Sequence, residues 1–245
     1  MSKTFVLVHG AWHGGWAWES VEKTLTSAGH AVVTPDLPGH GDDRRPLDEI
    51  TMDAYVDSIS RVVAELPGKV ILAGHSMSGA VISQVGERHP DKIESLVYVC
   101  AFLLPDGKSV LQVMGEDTDA EFGSRLSFND DQSGAIFDDA TFRQTFYNAA
   151  SEAAIGWAKP QLPEYQATAP LGAPVKVSES RFGSLPRFYI KCLQDKVLSP
   201  GMQQQLIDAE PCKAVFELDA DHAPFASAPV QLAQALLTVS ATSHA

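Results

Sequence analysis

Along the first hundred residues, short apolar runs rich in β-branched side chains alternate with segments of helical spacing. Residues 5–8 (FVLV), 31–34 (AVVT), 70–73 (VILA) and 93–101 (IESLVYVCA) read as strands. Between them, residues 21–28, 52–66 and 79–89 place apolar side chains three and four apart. These predicted helices stop at Gly29, at Pro67-Gly68 and at Pro90. Such β/α alternation predicts an α/β fold, with a mostly parallel sheet and helices on both faces.

The rhythm breaks after Pro105. Residues 106–184 are more polar and acidic and lack strong strand signals; 141–159 (TFRQTFYNAASEAAIGWAK) reads as a helix. The alternation resumes with a strand at 187–193, a helix at 201–208, a strand at 214–218 and a helix at 229–240, followed by a frayed tail over 241–245. The expected organisation is a core formed by 1–105 and 185–245, interrupted by an inserted helical cap over 106–184.

A length of 245 residues suits one such domain with an insertion. The net charge of −13 disfavours phosphate backbones and anionic lipid, so neither nucleic acid nor a membrane surface is an expected partner. No apolar run reaches the roughly 18 residues that cross a bilayer, and no leader pattern precedes the first strand. A cytoplasmic protein, monomer or homodimer, is the expectation. Cys100, Cys192 and Cys212 are odd in number and form no CxxC pair. They read as buried small hydrophobes rather than as disulfide or zinc ligands.

The chemistry starts at VILAGHSMSGAVISQV, residues 70–85. A strand runs through a small-residue turn into a helix, the arrangement that lifts a nucleophilic serine, here Ser76, above a sheet edge. The usual G-x-S-x-G pattern is broken, because Ser78 stands at the second glycine and Gly79 comes one place later. A serine needs a general base, and His222 follows the last strand in the loop DADH. The base needs a carboxylate, and Asp195 follows the preceding strand. Asp106, after the fourth strand, is the alternative acid, while Asp219 and Asp221 read as shaping the His222 loop. Oxyanion donors are expected from the N–H groups of Met77 and Ala11, with Gly10 letting the backbone approach the substrate. His9 and His13 read as structural members of that loop.

VLVHGAWHGGWAW, GHSMSG, RFGSLPRFYIKCLQDK and DADHAPF together resemble the plant methylesterase and hydroxynitrile lyase group of α/β-hydrolases. PDLPGHG, residues 35–41, is similar to bacterial esterases of that fold, including pyrethroid-type carboxylesterases. The resemblance covers residues 4–104 and 181–235 and is faint through the cap. It implies a Ser76, Asp195, His222 triad acting on a small-molecule ester without cofactor or metal. It also separates esterase from lyase. The lyases carry threonine where this chain has Gly10, and lysine where it has Ala223, so nothing here would stabilise a departing cyanide. Trp12, Phe102, Trp157, Leu198 and Phe225 are the expected pocket side chains. A lyase, another hydrolase of the fold and a non-catalytic receptor are the competing readings.

Overall fold

A computed structural model describes residues 2–242. Six strands form the main sheet: β1 (Thr4–Val8), β2 (Ala31–Val33), β3 (Val70–His75), β4 (Ile93–Val99), then β8 (Arg187–Cys192) and β9 (Ala214–Leu218). Three shorter strands lie between them in sequence: β5 (Ser127–Phe128), β6 (Gly134–Ile136) and β7 (Gln166–Ala167). The main sheet has the order β2-β1-β3-β4-β8-β9, and every neighbouring pair is parallel. All six strand predictions fall on these strands.

Helices cover both faces, which is why the central strands are continuously apolar rather than alternating. All six residues of β3 are buried. The helices Met52–Glu65 and Ser78–Arg88 pack together, as do Glu19–Ser27 and Pro229–Thr242. The Thr51 hydroxyl caps Met52–Glu65 by accepting from Ala54 N–H. The last helix runs to Thr242; residues 243–245 of the expected frayed tail lie outside the described residues. No helix among the described residues is long and apolar enough to cross a membrane.

Two expectations for 106–184 need correction. Strands β5, β6 and β7 form an antiparallel sheet there. They are too short for a period-2 pattern to register. The helix expected over 141–159 is not continuous. A helical turn at Asp139–Thr141 passes into a π-turn at Phe142–Phe146, and helix resumes only at Glu152–Ala158. The intervening backbone turns to the core instead, where Ala149 N–H donates to the Asp221 carboxylate at 2.8 Å. Tertiary bonding overrides a competent helical pattern.

Because all six strands run the same way, their carboxyl ends share one edge of the sheet. β1 delivers His9, β3 delivers Ser76, β8 leads to Asp195 and β9 to His222. Open parallel sheets bind their ligands at that edge.

Candidate active site

The turn after β3 carries Ser76 at φ +53°, in the left-handed region that a non-glycine residue adopts only under constraint. Its backbone is pinned on both sides. Ser76 N–H donates to Val99 O, and Ser76 O accepts from Gly79 N–H and Phe102 N–H. The displaced glycine of the motif now has a reason. A Cβ on Gly79 would lie 2.6 Å from the Phe102 carbonyl oxygen, so residue 79 is where the helix meets the backbone that follows β4. Ser78 is buried, and its hydroxyl donates to the His9 carbonyl, tying the turn to the loop after β1.

Three side chains form one hydrogen-bonded line. Ser76 Oγ lies 2.8 Å from His222 Nε2, and His222 Nδ1 lies 2.7 Å from Asp195 Oδ2. All three residues are buried. Asp195 Oδ1 accepts from the N–H groups of Val197 and Leu198, and Oδ2 also accepts from Gln203 Nε2. An acid held by that many donors presents one defined lone pair to the imidazole. The Nδ1–H tautomer follows, leaving Nε2 to accept from the serine. Asp106 is elsewhere; its carboxylate accepts from Val177 N–H.

The loop after β1 reaches the same point. A Cβ on Gly10 would fall 2.5 Å from His75 Nδ1 and 2.9 Å from Ser76 Cβ. Threonine would not fit there unless His75 moved. The Ala11–Trp12 peptide is held at both ends: His13 Nδ1–H donates to Ala11 O, and Trp12 N–H donates to Gln166 Oε1. Trp12 itself sits at φ +59°. Neither Ala11 N–H nor Met77 N–H has a hydrogen-bond partner among the described residues. Both flank Ser76, and Met77 sits at the amino terminus of Ser78–Arg88, where partial positive charge favours an anion.

A narrow cavity of about 20 Å³ lies against Ser76. Its walls include Trp12, Met77, Phe102, Phe122, Phe146 and Leu171, and every lining side chain except Ser76 is apolar. Trp12 and Phe102, two of the expected pocket side chains, are among the lining residues. The other expected pocket residues lie elsewhere. Leu198 is buried one position past the lining residue Val197 and serves Asp195 through its N–H. Phe225 packs behind the site, edge-on to His75 and His13, each at 5.2 Å. Trp157 is 36% exposed and meets Trp16. Aromatic character alone does not say which side of a wall a ring will occupy.

His75, Cys100 and His222 bring possible metal-ligand atoms within 4.8 Å of one another. His75 Nε2–H already donates to His222 O, and both His222 nitrogens are engaged. An ion there would have to take His222 from Ser76 or Asp195. Cys100 and Cys192 are buried, as expected, whereas Cys212 is only partly so.

Burial holds His9, His13, His40 and His75 neutral, with every pKa lowered and His13 taken to about 3. The unfolded chain protonates these groups near 6.5, before the folded protein does. Their stabilisation is thus complete above 6.5 and is lost as pH falls, for His13 down to about 3. For His13 the slope is about 1.4 kcal/mol per pH unit, or roughly 3 kcal/mol by pH 4.5. Asp221, whose carboxyl pKa is raised by burial, opposes this with a slope of the other sign. Urea midpoints at pH 7 and 4.5 should show the fall, and His13→Gln should flatten it. An unchanged slope in that variant would remove His13 from the account.

A model of the alpha/beta hydrolase family matches residues 5–235. The chain belongs to that family. As an alpha/beta hydrolase, it is 33% identical to Methylesterase 7 of Arabidopsis thaliana, over 97% of this chain and 96% of the relative. Polyneuridine aldehyde esterase superposes with a TM-score of 0.88 at 30% identity, covering 98% of this chain and all of that one. A pyrethroid hydrolase from Sphingobium faniae JZ-2 gives a TM-score of 0.86 at 28% identity, covering 99% and 98%. Both groups that the motifs resemble are among this alpha/beta hydrolase's relatives.

Several members of the site had left no trace in the sequence reading. Gln166, Tyr147 and Asn148 are polar residues whose partners lie in distant segments, and Gln203 reaches back across a turn to Asp195. His75 stood inside the motif without a role. The turn at Asp195 did carry a signal, since an aspartate accepting from N–H groups two and three residues on is a common local turn.

Proposed function

We propose that this alpha/beta hydrolase is a serine carboxylesterase, with Ser76 as nucleophile, His222 as general base and Asp195 as its orienting acid. The observation that carries the reading is the hydrogen-bonded line Ser76–His222–Asp195 beside two unengaged N–H donors. His222 Nε2 takes the Ser76 proton as Oγ attacks the ester carbonyl. The oxyanion forms between Ala11 N–H and Met77 N–H. His222 then protonates the leaving alcohol and activates water to release the acid. This chemistry requires no metal or cofactor. Relatives named as a methylesterase, polyneuridine aldehyde esterase and a pyrethroid hydrolase support ester cleavage as the reaction class.

The apolar walls favour uncharged carboxylic esters, and the free space of about 20 Å³ is far below that of small-molecule sites, so packed side chains must move for any substrate. Across a p-nitrophenyl series, acetate and butyrate should exceed decanoate in kcat/KM by about tenfold or more, since a longer chain must displace more packed side chains. Equal values for decanoate would mean that the cavity does not limit the acyl group. Cyanide release from mandelonitrile without ester hydrolysis would overturn the esterase reading. That outcome is disfavoured by Ala223, which is buried and supplies no cation.

A further inference from the structure

Four consecutive cap residues, 146–149, each touch a different part of the site. The Phe146 ring meets the His222 ring edge-on at 5.2 Å and lines the cavity. Tyr147 is buried, and its hydroxyl donates to His13 Nε2 at 3.0 Å. His13 in turn donates from Nδ1 to Ala11 O, so Tyr147 acts on the loop after β1. Asn148 Nδ2 donates to the carbonyl of Gln194, the residue before Asp195, at 3.1 Å. Ala149 N–H donates to Asp221, the residue before His222. The other Asp221 oxygen accepts from Ala223 N–H and the Ser227 hydroxyl, bracketing His222 in sequence.

The backbone geometry has the same origin. The π-turn Phe142–Phe146 ends at this point, with Tyr147 N–H donating to Phe142 O. A π-turn adds a residue to a helical turn and often marks a functional position. Here it sets Phe146 and Tyr147 toward the core and breaks the helix, which frees Ala149 N–H for Asp221.

We infer that residues 146–149 are a positioning strap that holds the oxyanion, acid and base loops in mutual register. The inference rests on the serine-esterase reading. The three loops come from different strands; the acid and base loops share a backbone bond, Gln194 N–H to Ala220 O at 2.9 Å, but among the described residues no backbone bond ties the loop after β1 to either of them. One short segment bonded to all three supplies that constraint. A small misplacement costs rate rather than ground-state binding, because the Ser76–His222–Asp195 line and the oxyanion donors matter most in the transition state.

The test is kcat per active site, counted by titration with a fluorophosphonate. Titration separates a poorly aligned site from a smaller folded fraction. Tyr147→Phe keeps the ring and removes the donor to His13. Asn148→Ala removes the donor to Gln194, and Asn148→Asp keeps the shape but presents a carboxylate that cannot donate. Each is expected to lower kcat per titrated site by about tenfold with KM within about twofold. Arg143→Ala is the control. It removes exposed ion pairs of the π-turn to Asp139 and Glu152 without touching the three loops, and kcat per site should hold. Unchanged kcat per site in Tyr147→Phe and both Asn148 variants would overturn the strap. So would an Asn148→Asp that matches the parent while Asn148→Ala does not. If Tyr147→Phe fails to fold, the partly exposed Asn148 carries the test alone. A parent protein that the fluorophosphonate does not label would instead sink the serine-esterase reading.

Discussion

Ser76→Ala is expected to lose esterase activity by about 10⁴- to 10⁶-fold in kcat while keeping its fold. The size of the loss follows from what one oxygen does. Ser76 Oγ is the atom that His222 Nε2 faces at 2.8 Å, and no other hydroxyl reaches that nitrogen among the described residues. Ser78, two residues on, has its hydroxyl committed to the His9 carbonyl and cannot take over. The fold should survive because the turn is held by backbone bonds to Val99, Gly79 and Phe102, none of which uses Oγ. Thermal midpoints within a few degrees, together with loss of fluorophosphonate labelling, are the expected pair of results. Retention of most of the ester hydrolysis would end the assignment of Ser76.

Asp195→Asn should cost about 10⁴-fold in kcat, by the tautomer argument that applies to serine–histidine–aspartate sites generally. The carboxylate accepts from Val197 N–H and Leu198 N–H on one oxygen. An asparagine would keep its oxygen on those donors and turn its NH₂ toward His222. The imidazole would then accept at Nδ1 and carry its proton on Nε2, facing Ser76 with a donor where a base is needed. Asp106→Asn is the matched comparison, because its carboxylate serves Val177 N–H. It should stay within about threefold of the parent. Equal losses in the two variants, or a loss in Asp106→Asn alone, would reverse the choice of acid.

The line Ser76–His222–Asp195 was legible before any coordinates because parallel β/α order does geometric work. Strands that run one way bring their carboxyl ends to one edge, so residues that follow strands become neighbours even when far apart in sequence. Ser76 and His222 are 146 residues apart and 2.8 Å apart in space. The His-Gly loop was legible for the same reason. The broken glycine pattern was visible too, but its explanation was not. It took the closeness of Gly79 to the Phe102 backbone and the bond from Ser78 to His9 to show why glycine shifted by one place.

Residues 106–184 were where sequence reasoning lost its grip. Residues 141–159 carry a fair helical pattern, yet the chain leaves the helix at the π-turn because Ala149 N–H has a buried carboxylate to satisfy. The pocket residues divided in the same way. Trp12 and Phe102 follow strands β1 and β4 and line the cavity, whereas Trp157 packs against Trp16 and Phe225 against His75 and His13.

The sequence by itself determined the parallel sheet, the edge on which chemistry could sit, and which serine, histidine and aspartate would meet there. Hydrophobic period and strand order are local and ordinal properties, and a one-dimensional string carries them fully. Only the tertiary structure decided how those loops are held: Gln203 on Asp195, Gln166 on Trp12, and Tyr147, Asn148 and Ala149 across three loops. A single polar residue pairing with a distant segment leaves no period behind. Its partner is chosen by burial, where an unpaired donor or acceptor is costly, and burial exists only once the chain has folded.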